Sequence, residues 1–372
     1  MRKKSNAGII DSHVHFDDIL SIKKTRSFFD NCGIDKLCIV SIPDAKMGNS
    51  NPQALCFKMM YPSETYIMGS LYYAHIERYC LKDRKKRLKE QLIKMIETGF
   101  DGVKILETKP NLFKRMPFKI DDPEYEDFFE IVQKKQFPVV WHVVDPPEFW
   151  DRRKIHPIAL KRGWGYFSKG FPSYEEIRQR VNRVLSNFPH LKIIFAHFYF
   201  LSQDLEIASE VLEKYESVNF DIAPGAEMFV NFSKNPEKTR DFFIRYQDRI
   251  VFGTDAFISK KFSSKATASK IKFMKRFLET EDNFRMPVGD MNFLSQPGSV
   301  IRGIRLPAPV LQKIYRRNFE RIVGKKPARI DKKLAMDECK KIADELKDFL
   351  NRQNNCGYAY FRYPVKISGG LR

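Results

Sequence analysis

Short runs of β-branched and aromatic residues alternate along the chain with longer segments in which apolar residues recur every three or four positions. This is the pattern of repeated strand–helix units on a parallel sheet. Eight such runs fall at residues 8–15, 36–42, 66–73, 102–106, 138–143, 191–197, 218–222 and 249–255. The segments between them carry helix signals. Asn51-Pro52, Asp122-Pro123 and Asn235-Pro236 each set a capping side chain before a proline suited to a first helical turn. Ser173 and Glu176 make a capping-box pair, and Gly33 and Gly99 stand where a left-handed residue ends an amphipathic stretch. Residues 307–323 predict a further helix and 332–351 a C-terminal one packed outside the main fold.

Eight strand–helix units build a closed (β/α)₈ barrel or an open doubly wound sheet, and the alternation alone does not choose. The expected organisation is an α/β barrel domain over 1–324 with a helical extension over 325–372. Three connections are long, at 143–172, 223–235 and 281–306. Long ordered loops in compact domains usually serve a site, so the first two are expected to wall a substrate pocket.

Composition narrows the setting. With 372 residues and 43% hydrophobic content, the chain can bury one large core without a second domain. Its six cysteines, at 32, 38, 56, 80, 339 and 356, form no C-x-x-C pair and no disulfide framework, which suits a reducing, cytoplasmic setting. The first apolar run ends at Ile10, before Asp11, and is too short for a signal segment or a membrane span. A net charge of +20 could draw in nucleic acid or another anion. The densest basic run, 82–94, is however interleaved with Leu81, Leu88, Leu92, Ile93 and Ile96 at helical spacing, the mark of a solvated helix face. No nucleic-acid-binding signature accompanies it, so neither nucleic acid nor membrane is an expected partner.

The chemistry concentrates at strand ends. Asp11-Ser12-His13-Val14-His15 places two imidazoles two residues apart on one face of a strand, a spacing that can grip one ion or form a plain surface or core pair. His142, His197 and Asp255 each end another apolar run. These residues close strands one, five, six and eight, whose downstream ends converge only in a closed barrel, which favours the barrel over the open sheet. Imidazoles with one carboxylate suit a divalent transition metal, zinc above all, with manganese, iron, cobalt or nickel also compatible. Such an ion makes a hydroxide nucleophile available near neutral pH; Asp255 could ligate it or accept the water's proton, and His197 could polarise a substrate oxygen or shuttle a proton. Lys104 could meet a substrate carboxylate or Glu107. Trp150, Arg152, Arg153, Trp164 and Tyr166 could wall a substrate-binding pocket for an anion or simply pack their loop. Asp221 and Glu227 are candidates for the pocket or for structure, His75 could face the site, and His190 belongs at the opposite end.

Several motifs stand in a telling order: D-S-H-V-H at 11–15, G-V-K-I at 102–105, W-H-V at 141–143, F-A-H-F at 195–198 and F-G-T-D at 252–255, followed by L-Q-K-I-Y-R-R-N-F-E-R-I-V-G at 311–324. Together they resemble the amidohydrolase superfamily, in particular its amidohydrolase-related branch, which includes aminocarboxymuconate-semialdehyde decarboxylase. The resemblance implies a metal held by His13, His15, His142 and Asp255, with His197 as acid or base beside it. It also implies a bridging, carboxylated role for Lys104 where two ions bind, and a homodimer. The implied activity is hydrolysis of an ester, lactone or amide bond in a small carboxylated molecule, with non-oxidative decarboxylation or hydration as the alternative. Relatives that are metal-dependent deoxyribonucleases carry a glutamate where this chain has Lys104.

Overall fold

All eight expected strands form, each short and largely buried: β1 (Ile9–Phe16), β2 (Ile34–Val40), β3 (Thr65–Ser70), β4 (Gly102–Ile105), β5 (Val139–Trp141), β6 (Ile193–Phe195), β7 (Val218–Asp221) and β8 (Ile250–Val251). Their mostly apolar runs suit a parallel sheet covered on both faces, and the polar residues that interrupt β1, β4 and β7 include those of the site below. The computed structural model describes residues 8–43, 48–225, 227–287 and 298–352; Cys356 and the end of the expected extension lie outside them. Neighbouring strands pair in parallel in the order β8-β7-β6-β5-β4-β3-β2-β1, and a further short strand, β9 (Ala256–Ile258), pairs with the free edge of β1. The ring therefore closes, and the fold is a TIM barrel.

Closure happens at a seam within what the sequence pattern marks as one strand over 249–255. β8 pairs with β7, the chain breaks its ladder at 252–255, and β9 resumes on β1. The break follows from Asp255, whose φ of 50° lies in the left-handed region and cannot continue a strand. Across the gap Ser12 N–H donates to Phe252 O at 2.9 Å. The Asp11 carboxylate accepts from Thr254 N at 2.9 Å, Thr254 Oγ1 at 2.6 Å and His13 N at 3.2 Å.

The strand bearing the two histidines carries a β-bulge. Asp11 pairs with Leu37 and Val14 with Ile39, so three steps on β1 match two on β2. Ile10 packs inside the barrel with Cys38, Val40, Tyr66 and Met68, whereas Val14 and Phe16 pack outside among the helices. Strict alternation from Ile10 would have sent His13 and His15 outward. The extra residue reverses the phase and turns both imidazoles inward, the re-aiming that bulges perform beside functional sites.

The opposite end of the barrel is plugged. The helix expected at 307–323 runs over Ala308–Gln312 and Asn318–Ile322 with a π turn at Lys313–Arg317 between them. That turn frees a carbonyl, and Ile314 O accepts from Phe252 N of the seam at 2.9 Å. Phe319 and Ile322 fill the barrel floor, with Phe319 5.0 Å from the Tyr66 ring. The following segment is fastened beneath: Ala328 N donates to Asp101 at 2.6 Å, and Asp101 also accepts from the buried Lys58 at 2.6 Å. Gly99, at φ 97°, is needed there because a Cβ would lie 2.2 Å from Arg329 O. The C-terminal helix, Lys332–Arg352, lies outside the barrel with Glu338 3.2 Å from Lys94.

Two of the expected caps form: Asn235 accepts from Lys238 N and Ser173 from Glu176 N, both at 3.0 Å. Two do not. Asn51 instead spans the Ser70 N–H and C=O at 2.9 Å each, spending its amide on β3, and Asp122 accepts from Lys119 N in the preceding turn. The long connections are themselves structured, with helices Pro157–Lys161 and Met228–Lys234 in the first two and a pair of short antiparallel strands, Asn283–Arg285 and Val300–Arg302, in the third. Among the described residues no helix is long and apolar enough to cross a membrane.

Candidate metal centre

At the downstream end of the barrel, among the described residues, His13, His15 and Asp255 present ligand atoms that all lie within 4.8 Å of one another. Asp255 Oδ1 is 3.2 Å from His15 Nε2 and 3.8 Å from His13 Nε2. Each imidazole is oriented by its other nitrogen: His13 Nδ1 meets Asp221 Oδ2 at 2.8 Å and His15 Nδ1 meets Val40 O at 2.8 Å. With Nδ1–H donating to these oxygens, both Nε2 lone pairs face the carboxylate, the tautomer a metal site requires. Burial would raise the Asp255 carboxyl, but His15, His197 and His13 together hold it well below the usual carboxylate range. Burial, reinforced by Lys104, keeps His13 well below the ordinary imidazole value and hence neutral. The His13 and His15 imidazoles and one carboxylate are therefore a donor set suited to a divalent ion.

His197 adjoins this group, its ring 5.4 Å from His13 and 4.8 Å from His142. It begins a left-handed turn over His197, Phe198, Tyr199 and Phe200, with φ between 52° and 56° at every residue. None is glycine, so the turn costs roughly 1–2 kcal/mol per residue and must be held by its surroundings. It is held: Tyr199 stacks on Phe195 at 4.1 Å, and Phe198 packs on Phe232 at 4.9 Å and Phe220 at 5.0 Å. Asp221 is the hub beneath, accepting from His197 N at 2.7 Å and Ala223 N at 3.1 Å as well as from His13. His197 Nδ1 meets Ala223 O at 3.1 Å, so Nε2 again remains an acceptor, and burial lowers this imidazole to about 4.

The fourth expected ligand stands apart from that group. His142 Nε2 is engaged by Asp145 Oδ1 at 3.2 Å and by Lys109 Nζ at 3.4 Å. Lys109 also donates to Asp145 Oδ1 at 2.5 Å, and Tyr166 O–H donates to Asp145 Oδ2 at 2.5 Å. Neither Asp145 nor Lys109 was anticipated, although Asp145 follows His142 by three residues just before Pro146-Pro147. Lys104 lies buried, its Nζ 3.5 Å from His13 Nε2, and burial lowers its ammonium to about 8. Glu107 turns instead to Tyr73, which contacts Tyr125 in turn.

A cavity of about 400 Å³ opens over these groups, lined by His15, His142, His197 and Asp255 with Phe149, Trp164, Phe200, Phe257 and Phe262, and with Lys109, Lys261 and Lys270. Of the loop residues read as an anionic-substrate wall, Trp164 lines the cavity. Tyr166 is buried behind Asp145, Trp150 donates to Pro172 O at 2.9 Å, and Arg152 lies over the Phe167 ring. Arg153 pairs with Asp151, and His190 is exposed before β6, at the far end from the site. His75 follows β3 in a left-handed conformation and does not line the cavity.

Glu227 lies behind the cavity wall at Gly225, buried, with neither carboxyl oxygen hydrogen-bonded among the described residues. Burial, with Glu148 adding to it, pushes this carboxyl up to about 8. A glutamate in the unfolded chain ionises near ~4.3, so folding takes up a proton between that value and the folded one, and stability falls as pH rises through this window. Glu227→Gln removes that proton. The wild-type melting temperature is expected to drop by several degrees from pH 5.5 to 8, and that of the variant by clearly less. Asp11 and Asp221, raised by burial to about 7 and about 6, act in the same direction and leave the variant a residual slope. Identical pH profiles would remove Glu227 as a source of the effect.

Comparison with known proteins agrees with this architecture. An amidohydrolase family profile matches residues 79–325, a span that contains Lys104, His142, His197 and Asp255. No curated protein matches the chain. Among solved structures, an uncharacterised TIM-barrel protein from Bordetella bronchiseptica is similar at 14% identity and a TM-score of 0.51, over 84% of this chain and 97% of that one. A 5-carboxyvanillate decarboxylase from Sphingomonas paucimobilis is similar at 13% identity and 0.51, over 86% and 99%. A 2,6-dihydroxybenzoate decarboxylase from Rhizobium is similar at 14% and 0.50, over 85% and 98%. At such identities the likeness is one of fold. The family profile spans well over half of the chain, and the protein belongs to the amidohydrolase family.

Proposed function

We propose that this chain is a metal-dependent hydrolase acting on an ester, lactone or amide bond in a small carboxylated molecule. The observation that carries the proposal is the convergence of His13 and His15, each with Nδ1 tied off and Nε2 turned toward Asp255, at the foot of an aromatic, lysine-bearing cavity. His13, His15 and Asp255 would hold a divalent ion, zinc before manganese, and His142 would join them on release from Asp145 and Lys109. Such an ion supplies Lewis acidity toward a water molecule and a substrate oxygen.

The protein's own groups do the rest. Asp221 orients His13 through Nδ1 and His197 through its backbone, so a single carboxylate aligns a ligand and a proton carrier. His197 Nε2, an acceptor beside the centre, takes a proton from water as it attacks and returns it to the leaving group. Phe149, Trp164 and Phe257 give the cavity apolar walls against which a substrate body would pack. Lys109 pairs with the substrate carboxylate. The lysines that line the cavity also favour a second reading, non-oxidative decarboxylation, the reaction named for two of the structurally similar proteins.

A product assay in ¹⁸O-water, over a panel of carboxylated esters, lactones, amides and aromatic acids, separates the two. Hydrolysis places ¹⁸O in the organic product and releases no carbon dioxide; carbon dioxide release with no ¹⁸O in the organic product would replace it with decarboxylation. About one metal ion per chain would leave Lys104 as a substrate or structural group, and two would assign it the bridging role.

A further inference from the structure

The two loops that wall the cavity each carry an acid into one buried junction. Glu148 lies in the turn Pro147–Trp150 after β5, and Glu227 stands immediately before the helix Met228–Lys234 after β7. Glu227 is 7% exposed, and its two carboxyl oxygens, together with Glu148 Oε2, are buried without a hydrogen-bond partner among the described residues. Buried polar atoms are normally paired, so three unpaired oxygens at one junction call for a reason.

The surroundings supply no counter-ion. Glu148 and Asp145 act on Glu227 from the first loop, both raising its carboxyl, and Tyr174 faces it from the helix Tyr174–Asn187. Asp145 is already met by Lys109. Arg178, one turn on from Tyr174, donates to the Tyr174 hydroxyl at 3.4 Å and lies over the Tyr199 ring at 4.9 Å. With Glu227 protonated, a neutral acid and a carboxylate share the junction at low cost. With both ionised, two like charges stand in a buried site and nothing balances them.

That strain falls on the cavity wall. Phe149, beside Glu148, lines the cavity, as do Phe200, Pro224 and Gly225. A Cβ on Gly225 would lie 3.3 Å from both Glu227 carboxyl oxygens and 3.4 Å from the Phe200 ring, so the acid backs directly onto the wall. The strands beneath are fixed by the closed ring, and the loops are the parts that can yield.

We propose that Glu148 and Glu227 form a proton-dependent latch between the two wall loops, closed while Glu227 keeps its proton and open once it is lost. The folded-state carboxyl is raised, so the closed form holds at neutral pH and gives way as pH rises through about 8. The latch governs entry to the cavity and does not depend on which bond the site breaks.

The protein's own tryptophans read it. There are three: Trp141 is fully buried in β5, whereas Trp150 and Trp164 both belong to the first loop. Acrylamide quenching of tryptophan fluorescence is followed from pH 6 to 9.5 in the full-length wild type, Glu227→Gln, Glu227→Met and Glu148→Gln, with near-ultraviolet circular dichroism recorded beside it. The wild-type quenching constant is expected to rise roughly twofold or more around pH 8 while the dichroism keeps its folded form. Both Glu227 variants should stay flat at the low value. Lys104, lowered to about 8, titrates in the same window but is present in every protein, so the difference between the curves belongs to Glu227. Glu148→Gln keeps the burial and removes the like charge, and should move the rise to lower pH. A wild-type curve no steeper than those of the Glu227 variants, or a rise that coincides with loss of the folded dichroism, would overturn the latch. An unmoved midpoint in Glu148→Gln would overturn the pairing of the two acids.

Discussion

Replacing His13 with alanine is expected to reduce bound metal from about one ion per chain to a trace, and to lower turnover by roughly a thousandfold or more. The ring is fully buried, offers Nε2 to the centre, and is the partner that Asp221 Oδ2 finds at 2.8 Å. Its loss therefore also leaves a buried carboxylate without that partner, a defect worth about 1–3 kcal/mol of stability. Asp255→Asn separates the two effects. It keeps the side chain's volume at a position 19% exposed and removes only the charge that faces His15 and His13. Both variants should lose metal, measured by plasma mass spectrometry, while Asp255→Asn keeps the wild-type melting temperature within a few degrees. Full metal content and normal turnover in either would refute the assignment.

Asp11→Ala is expected to be the most damaging substitution that touches no metal donor, lowering stability by about 3–5 kcal/mol. The Asp11 carboxylate receives three donors, two from Thr254 and one from the His13 backbone, and all are buried at the seam. Alanine leaves them unpartnered at once. Asn offers one oxygen to the two N–H groups and an amide to the Thr254 hydroxyl, which can turn to accept, so Asp11→Asn should retain most of the stability. Urea unfolding of the pair checks this, and equal losses would mean that volume rather than hydrogen bonding matters there. Because Asp255 follows Thr254 directly, the alanine variant should also bind metal more weakly than the asparagine variant.

The strands were legible because buried parallel strands advertise themselves as continuous apolar runs, and the strand-end histidines followed from where those runs stop. The bulge in β1 was not legible. Nothing in D-S-H-V-H says that Ile10 and His13 share a side of the sheet, because that depends on a register with Leu37 and Ile39 that only pairing reveals. The split of the last strand was hidden for a related reason: a left-handed Asp255 looks, in sequence, like any residue at a strand end. Lys109, Asp145 and Tyr166 meet from three separate stretches of loop, so no local spacing announces them. The tryptophan and arginine at 150 and 152 suggested a substrate wall, but aromatic and basic side chains in a long loop pack it as readily as they bind anions, and here they turn to Pro172 and Phe167.

The seam also orders events during synthesis. β1, with both histidines, leaves the ribosome roughly 240 residues ahead of β9, the strand that covers its second edge. At translation rates of about 5–20 residues per second, that edge stays open for some 10–50 s. Ile9, Ile10, Val14 and Phe16 make it an apolar edge, the kind on which nascent chains pair wrongly with one another. Throughout that interval two imidazoles wait for a carboxylate not yet made. An ion held by this set would therefore load late, and a chain truncated before residue 255 would carry most of a barrel and lack the carboxylate of the cluster.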